Sequence, residues 1–158
     1  MISQTTEYAL RAVVWLAANP EKPLTAQQIA EATRVPAGYL AKVLQGLSRA
    51  GLLHSQRGLG GGFRLARSPD SLTMWEVVQA VDPLRRIHEC PMGFVAHGQE
   101  LCALHQQLDD TIAMIEKNLS ACTIRQLIDP QRSSTPLCAY HPVGAEGDNG
   151  QRSRRRSD

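Results

Sequence analysis

The residues most able to carry out chemistry in this 158-residue sequence are four cysteines, Cys90, Cys102, Cys122 and Cys138. We expect neither a secretory signal peptide nor a membrane span, since the sequence has no matching apolar run. A cytoplasmic location follows as an expectation, and there structural disulfides are disfavoured. Metal binding, redox sensing and plain burial therefore remain open as roles for these thiols.

Positive charge is the second chemical feature, and it is concentrated in two places although the net charge is only +2. Acidic residues are sparse between residues 35 and 67, where the cations are Lys42, Arg49, Arg57, Arg64 and Arg67. A second cluster lies near the end of the sequence, at Arg152, Arg154, Arg155 and Arg156. Local positive charge of this kind is what binding to nucleic-acid phosphates requires.

Hydrophobic periodicity indicates the elements that hold these residues in place. It predicts helices at about residues 5–18, 26–33, 36–50 and 73–81. Thr25 and Thr73 are the predicted N-caps of capping boxes at the second and fourth helices. Two short strands, at about residues 52–56 and 62–66, flank a glycine-rich turn. From about residue 100, an apolar stripe with alternating spacings of three and four predicts a long helix packed on another helix, with a short extension to Ile128.

The order of these elements is typical of a winged helix-turn-helix, which reads double-stranded DNA. We therefore predict a mainly α fold with a small two-stranded wing and a long C-terminal dimerisation helix. The predicted divisions are a DNA-binding domain (1–82), a sensor or cofactor loop (83–99), the dimerisation helix (100–128) and a disordered basic tail (129–158). In such a domain a helix enters the major groove, and Arg57 and Arg64 of the hairpin can meet phosphates.

Several short runs resemble the Rrf2 family of winged-helix transcription regulators. They are TEYALRA at 6–12, LTAQQIA at 24–30, Tyr39-Leu40, Leu44 and RGLGGGF at 57–63, and they lie within residues 1–128. The resemblance implies a homodimer that reads a palindromic operator, with the recognition helix at about 36–50. It implies DNA contacts from Gln28, Ala37, Gly38, Tyr39, Lys42, Arg49, Arg57, Gly58, Gly60, Gly61 and Arg64. Tyr39 has an alternative role, packing in the core with only its hydroxyl outside.

The resemblance also suggests a sensor. Many members of the family hold an iron–sulfur cluster through Cys-x5-Cys-x5-Cys, with a histidine three residues after the last cysteine. Cys90, Cys102 and His105 match this pattern, whereas Ala96 occupies the middle position. Glu7 lies where some members use a carboxylate, which would complete a [2Fe-2S] site. The implied function is a transcription regulator, either a repressor or an activator, whose operator affinity responds to redox state, nitric oxide or iron–sulfur status.

Other functions remain alternatives at this stage. Cys90 and Cys102 could form a redox disulfide, or the site could lack a cofactor and leave a simple winged-helix repressor. A metal-binding module for protein contacts would show no salt-dependent binding to duplex DNA. We expect neither an enzyme nor a small-molecule substrate, because no nucleophile elbow or zinc-protease helix occurs in the sequence. Asp109 and Asp110 are expected on the solvated face of the long helix.

Overall fold

The computed structural model describes residues 2–93, 100–129 and 131. The predicted mainly α fold, with a two-stranded wing and a long helix near the C-terminus, is confirmed. In the described part of the chain no helix is both long and apolar enough to cross a bilayer. The elements are α1 (Gln4–Ala18), α2 (Ala26–Thr33), α3 (Ala37–Arg49), β1 (Leu53–Gln56), β2 (Gly62–Leu65), α4 (Met74–Val81), α5 (Ala103–Ser120) and α6 (Ile124–Leu127).

The helix ends are set by local capping. Both predicted capping boxes are present, at the start of α2 and at the start of α4. After α2, Arg34 adopts a left-handed conformation with φ of 55°, and Pro36 forms the N-cap of α3. Because proline suits the start of a helix but cannot continue one, these residues make the short turn of the helix-turn-helix.

The core lies where α1, α2, α3 and α4 meet. Leu40, Leu44 and Leu47 of α3 are fully buried, and their spacing of four and three residues keeps them on one face of the helix. Ala9 and Ala12 of α1 are also fully buried, and such small side chains let neighbouring helices approach closely. The opposite face of α3 is therefore left to solvent.

The wing is an antiparallel hairpin of β1 and β2 that is joined to the segment before α2. Leu53 lies opposite Leu65 and Gln56 opposite Gly62 in the pairing of the two strands. The backbone N–H of Leu24 donates to the Phe63 carbonyl at 3.0 Å, and the Phe63 N–H donates back at 2.8 Å. A Cβ atom at Gly62 would lie 2.5 Å from the Leu24 carbonyl oxygen, so this close approach requires glycine.

Residues 122–128 differ from the expected extension of the long helix. They form a separately capped helix, α6, which begins with its own capping box at Thr123. The Ile124 N–H donates to the Leu72 carbonyl at 2.8 Å, and the Met74 N–H donates to the Cys122 carbonyl at 3.0 Å. Ile124 is fully buried in the core of the N-terminal elements. The C-terminal end of α5 is therefore attached to the start of α4.

The N-terminal half of α5 is attached through Asp109, which is only 5% exposed. Its carboxylate accepts hydrogen bonds from Arg86 Nε and Nη2 at 2.7 and 2.6 Å, and from the Ile87 N–H at 2.8 Å. The expectation that Asp109 is solvated is wrong, because the loop after α4 folds back over this part of α5. These donors, Arg86 first, lower the pKa of Asp109 from 3.8 to about 2.

We predict that Ile124→Ala lowers the free energy of unfolding by about 3 kcal/mol, because it leaves a cavity in the core. Urea denaturation at a fixed protein concentration measures this loss. Arg125→Ala is the matched control, since Arg125 lies in the same helix and forms an exposed ion pair with Asp70. Equal losses for the two variants would mean that α6 does not contribute to the core.

A second prediction concerns the pH dependence of stability. Because the pKa of Asp109 is lower in the folded chain, its contribution is complete above about pH 4 and is lost as the pH falls towards 2. Asp109→Asn should therefore be less stable than the wild type at neutral pH, and the difference should narrow below about pH 4. Urea titrations of both proteins at several pH values test this. A difference in the free energy of unfolding that does not change with pH would contradict the pairing of the charged Asp109 with Arg86.

Candidate nucleic-acid interface and thiol–imidazole site

The solvent face of α3 carries the residues predicted to contact DNA. Ala37, Gly38, Tyr39, Lys42 and Arg49 are all exposed. They take these positions because the three buried leucines of α3 occupy the other face. The first turn of the helix has no side-chain cap and no acidic residue, so its N–H groups are not occupied by a carboxylate.

Tyr39 is held at the surface by contacts with α1. Its ring meets the ring of Tyr8 edge-on, with centroids 5.6 Å apart and an interplanar angle of 81°. Its hydroxyl forms a hydrogen bond with the hydroxyl of Thr5. The side chain remains 41% exposed, so the alternative of core burial with only the hydroxyl outside does not hold. Tyr39 is therefore oriented by α1 while part of its ring faces solvent.

A cationic groove lies beside this face of α3. Its volume is about 240 Å³. Tyr39, Lys42 and Arg49 line one side, and Thr5 and Val81 contribute to the other. Among the described residues that line it, none is acidic. The groove therefore presents two cations with no counter-charge of its own.

The tip of the wing depends on glycine. Gly58 and Gly60 have φ values of 96° and 76°, which side chains with a Cβ rarely adopt. A Cβ at Gly61 would lie 2.3 Å from the Gln56 carbonyl oxygen. Arg57 lies just before the turn, and both it and Arg64 of β2 are exposed. The hairpin thus presents arginines beside a narrow backbone tip.

The predicted DNA-contacting cations have no acidic partners. Lys42, Arg49, Arg57 and Arg64 form no ion pair with any residue that the structure describes. By contrast, each of four other arginines, at 11, 67, 86 and 125, pairs with a carboxylate. An unpaired cation can bind a phosphate without first breaking an ion pair, so these four cations are available as phosphate ligands.

Gln28 is exposed at the start of α2, but half of its side-chain amide is in use. Its Oε1 accepts from the Thr25 backbone N–H at 2.9 Å and from the Thr25 hydroxyl at 3.2 Å. These contacts are the capping box that begins the helix. The amide nitrogen of Gln28 has no partner among the described residues, and it is left as a hydrogen-bond donor for a phosphate.

A second site brings together two thiols and an imidazole. Cys90 begins a turn that the Gly93 N–H closes by donating to the Cys90 carbonyl at 3.0 Å. Cys102 is the N-cap residue of α5, and His105 lies in the first turn of that helix. The Nδ1 atom of His105 is 3.2 Å from Cys102 Sγ and 3.9 Å from Cys90 Sγ. All three side chains are half-buried.

The described residues do not complete a metal site. No group of three His, Cys, Asp or Glu residues among them has an arrangement that could hold a metal ion. Both sulfur atoms face the same ring nitrogen, and no further donor joins them. The described cysteines are free thiols, and Cys122 lies just after α5, at the opposite end from Cys102. Ala96 and Cys138 lie outside the described residues.

Glu7 does not join the thiols within one chain. Its carboxylate accepts from Arg11 Nε at 2.6 Å, and Arg11 also donates to the Thr33 carbonyl at 3.1 Å. The neighbouring Thr6 lines a cavity of about 320 Å³ together with Ile115 of α5. Ile115 is ten residues beyond His105, which is about 15 Å along a helix. Within one chain, the start of α1 therefore lies near the opposite half of α5 from the thiol–imidazole site.

Sequence reasoning missed Arg86 and Asp109, which fix the loop beside this site. A charged residue on a long helix is usually solvated, so the sequence contained no local sign of the burial of Asp109. The spacing of Cys102, His105 and Asp109 at intervals of three and four residues was the one available signal, because it places them on one helical face.

Comparison with known proteins agrees with this architecture. A family model described as Rrf2, iron-dependent transcriptional regulator, matches residues 2–130. A protein of Aquifex aeolicus, named as a candidate HTH-type transcriptional regulator, is 30% identical over 132 residues, covering 82% of this chain and 92% of its own length. These relatives are transcription regulators and not enzymes.

Solved structures share the fold. The global cysteine regulator CymR of B. subtilis aligns with a TM-score of 0.64 at 24% identity, covering 80% of this chain and 95% of that protein. IscR of T. potens aligns with a TM-score of 0.65 at 23% identity, covering 80% of this chain and 84% of that protein. The solvent face of α3 and the cationic wing agree with the match over residues 2–130. The chain therefore belongs to the Rrf2 family of winged-helix, DNA-binding transcription regulators.

Proposed function

We propose that this regulator is a cytoplasmic homodimer that represses from a palindromic operator and changes its operator affinity with the state of the Cys90, Cys102 and His105 site. The observation that carries the proposal is the contact of both thiols with one imidazole, in the segment that joins the DNA-binding elements to α5. The free thiols of the described cysteines suit a reducing compartment.

In the proposed complex, the start of α3 enters the major groove and the wing contacts the backbone beside it. Ala37 and Gly38 are small, so they allow the first turn of α3 to approach the base edges. Lys42 and Tyr39 then reach bases or phosphates from the adjoining turn. Arg57 and Arg64 of the wing bind phosphates, because no carboxylate in the described part of the chain pairs with them. Gln28 adds a phosphate contact through its amide nitrogen.

The proposed dimer is formed by α5. Leu104 and Leu108 are 65% and 46% exposed in the single chain, although both belong to the apolar stripe of this helix. Met114, on the same helix, is 60% exposed. An apolar strip of this kind is typical of a helix that packs against a second helix, and an identical α5 supplies a matching surface. A two-fold dimer would read a palindrome, with its recognition helices roughly 34 Å apart.

The first candidate for the sensing chemistry is an iron–sulfur cluster. Thiolates and imidazoles are suitable donors for it. Two donors on one tetrahedral metal ion lie about 3.5 Å apart, and the two sulfur–nitrogen distances at His105, 3.2 and 3.9 Å, lie on either side of that value. The donors therefore suit the group in their chemistry, although the described side chains are not arranged as a complete metal site. When bound, the cluster would supply a redox couple, and its [2Fe-2S] form needs one donor more.

Glu7 is the proposed fourth donor, supplied by the second chain. Within one chain the start of α1 lies near the C-terminal half of α5, far from Cys102. If the two α5 helices of a dimer cross in antiparallel fashion, the same half of α5 lies near the partner's thiol–imidazole site. Glu7 of the partner subunit can then reach it after leaving Arg11. The ligand set would in that way require the dimer.

The second candidate is a thiol switch without a metal. Cys90 and Cys102 both contact His105 Nδ1, so their sulfur atoms can be no more than about 7 Å apart. A modest movement of the loop would bring them to bonding distance. Oxidation would then close a covalent link between the loop and the start of α5. Either chemistry would change how α5 is held against the DNA-binding elements.

We predict that Arg57→Ala weakens binding to a random-sequence duplex and makes it less dependent on salt. Each lost phosphate contact reduces the slope of log affinity against log salt concentration by about one, and a dimer loses two. Fluorescence anisotropy across a salt series measures the slope. Lys117→Ala is the control, because Lys117 is exposed on α5 away from the wing. Equal slopes for the two variants would remove the wing from the proposed interface.

We predict that the full-length protein, purified without oxygen, is coloured and contains iron and sulfide. Visible absorption and iron assays should fall to background in Cys102→Ser, because that change removes a ligand. Cys122→Ser should keep both signals, since Cys122 lies at the other end of α5. A colourless, iron-free wild type would exclude the cluster and leave the thiol switch. If oxidised glutathione also left duplex binding unchanged, the sensing proposal would fail.

A further inference from the structure

We infer that Asp109 is a positioning residue, which holds the loop carrying Cys90 against the face of α5 that carries Cys102 and His105. The inference rests on the proposed function, because it concerns the geometry of the proposed sensing site. Asp109 forms no described hydrogen bond with the three site residues. It acts through Arg86 and the backbone of Ile87, four and three residues before Cys90.

Both oxygen atoms of Asp109 are used in this contact. Oδ1 accepts from Arg86 Nε and from the Ile87 N–H, and Oδ2 accepts from Arg86 Nη2. Paired donation from one guanidinium fixes direction as well as distance. The added backbone donor fixes the main chain itself, so the loop cannot slide along α5 while these three hydrogen bonds persist. The low pKa of Asp109 keeps the carboxylate charged at neutral pH.

Helix geometry connects this clamp to the thiols. Cys102, His105 and Asp109 follow one another at intervals of three and four residues, so they lie along one face of α5. His105 and Asp109 are one turn apart, which is about 6 Å. The loop runs along the same face, with Arg86 and Ile87 over Asp109 and Cys90 over His105.

Little else holds this loop. Within the described part of the chain, residues 83–90 form no helix or strand. Apart from the contacts with Asp109 and His105, their one described hydrogen bond to another element joins the Leu84 carbonyl to Gln79 Nε2 at 2.8 Å. Among the described hydrogen bonds, those to Asp109 are the ones that join the loop to α5 next to the 3.9 Å contact of Cys90 with His105. The clamp is therefore what makes the encounter of the two thiols frequent.

The frequency of that encounter can be measured as an effective concentration. Full-length protein carrying Cys122→Ser and Cys138→Ser is equilibrated with reduced and oxidised glutathione, with a chelator present. Oxidised glutathione takes two electrons and two protons from the Cys90 and Cys102 thiols, which gives one Sγ–Sγ bond and two molecules of reduced glutathione. The effective concentration is the ratio of disulfide to dithiol, multiplied by the squared concentration of reduced glutathione and divided by the concentration of oxidised glutathione.

We expect Asp109→Asn to lower this effective concentration by about tenfold or more, as expected for losing charge-assisted hydrogen bonds. Asp110→Asn is the matched control, because Asp110 is exposed and its described hydrogen bond is with Gln106 of its own helix. Arg86→Ala should reproduce the loss, and combining it with Asp109→Asn should add little. Arg86 is partly exposed, so that variant tests the clamp without emptying a buried position.

The outcomes separate the two proposals. If the starting protein has no more disulfide than two unconnected thiols would form, the thiols do not meet and the proposed thiol switch fails. If it forms the disulfide readily and the effective concentration is the same in Asp109→Asn and Asp110→Asn, Asp109 does not position the loop. The proposed sensing site is then unaffected. Urea denaturation of each variant shows whether a lower effective concentration arises at the loop itself or from a loss of overall stability. Arg86→Ala with unchanged stability and unchanged disulfide would overturn the inference.

Discussion

The attachment of α5 to the rest of the chain is the constraint on which the arrangement of this protein depends. At one end, the buried carboxylate of Asp109 takes three hydrogen bonds from the loop that follows α4. At the other end, Ile124 of α6 is buried in the core. A buried carboxylate is costly unless every lone pair finds a donor, so this contact has few alternative geometries. The helix is thus held at two points.

Two attachments give α5 a mechanical role in the proposed regulator. The thiol–imidazole site lies at one attachment, and α6 meets the N-terminal elements at the other through the backbone of Leu72 and Met74. A change in the site would alter the first attachment while the second remains. Because packed helices move as units, such a change would tilt α5. In a dimer, this tilt would change the distance between the two recognition helices.

The surface proposed to contact DNA follows from a different principle, the burial of one side of α3. Leu40, Leu44 and Leu47 place that side in the core, and Tyr39, Lys42 and Arg49 are left exposed on the other side. Contacts with Tyr8 and Thr5 of α1 then fix the orientation of the exposed Tyr39 side chain. The wing adds arginines that form no ion pair with the described carboxylates. Shape and charge therefore coincide on the surface that we propose contacts DNA.

Much of this could be predicted from the sequence because its causes are local. Capping boxes, the turn at Pro36 and the alternation around the glycine-rich hairpin each act within a few residues. The fold class followed from them, and the family followed from the resemblance of short runs such as residues 57–63 to its members. The positions of the exposed residues on α3 also followed, since helical periodicity alone separates its two faces.

What only the tertiary structure decided involves residues far apart in the chain. Asp109 and Arg86 are separated by 23 positions, and nothing near either one indicates that they meet. The return of α6 to the core and the position of Glu7 relative to α5 also depend on how whole elements pack. Sequence patterns report which face of an element is apolar. Which distant element covers that face is decided by the packing of the complete chain, where burial, charge and backbone hydrogen bonds must be satisfied together.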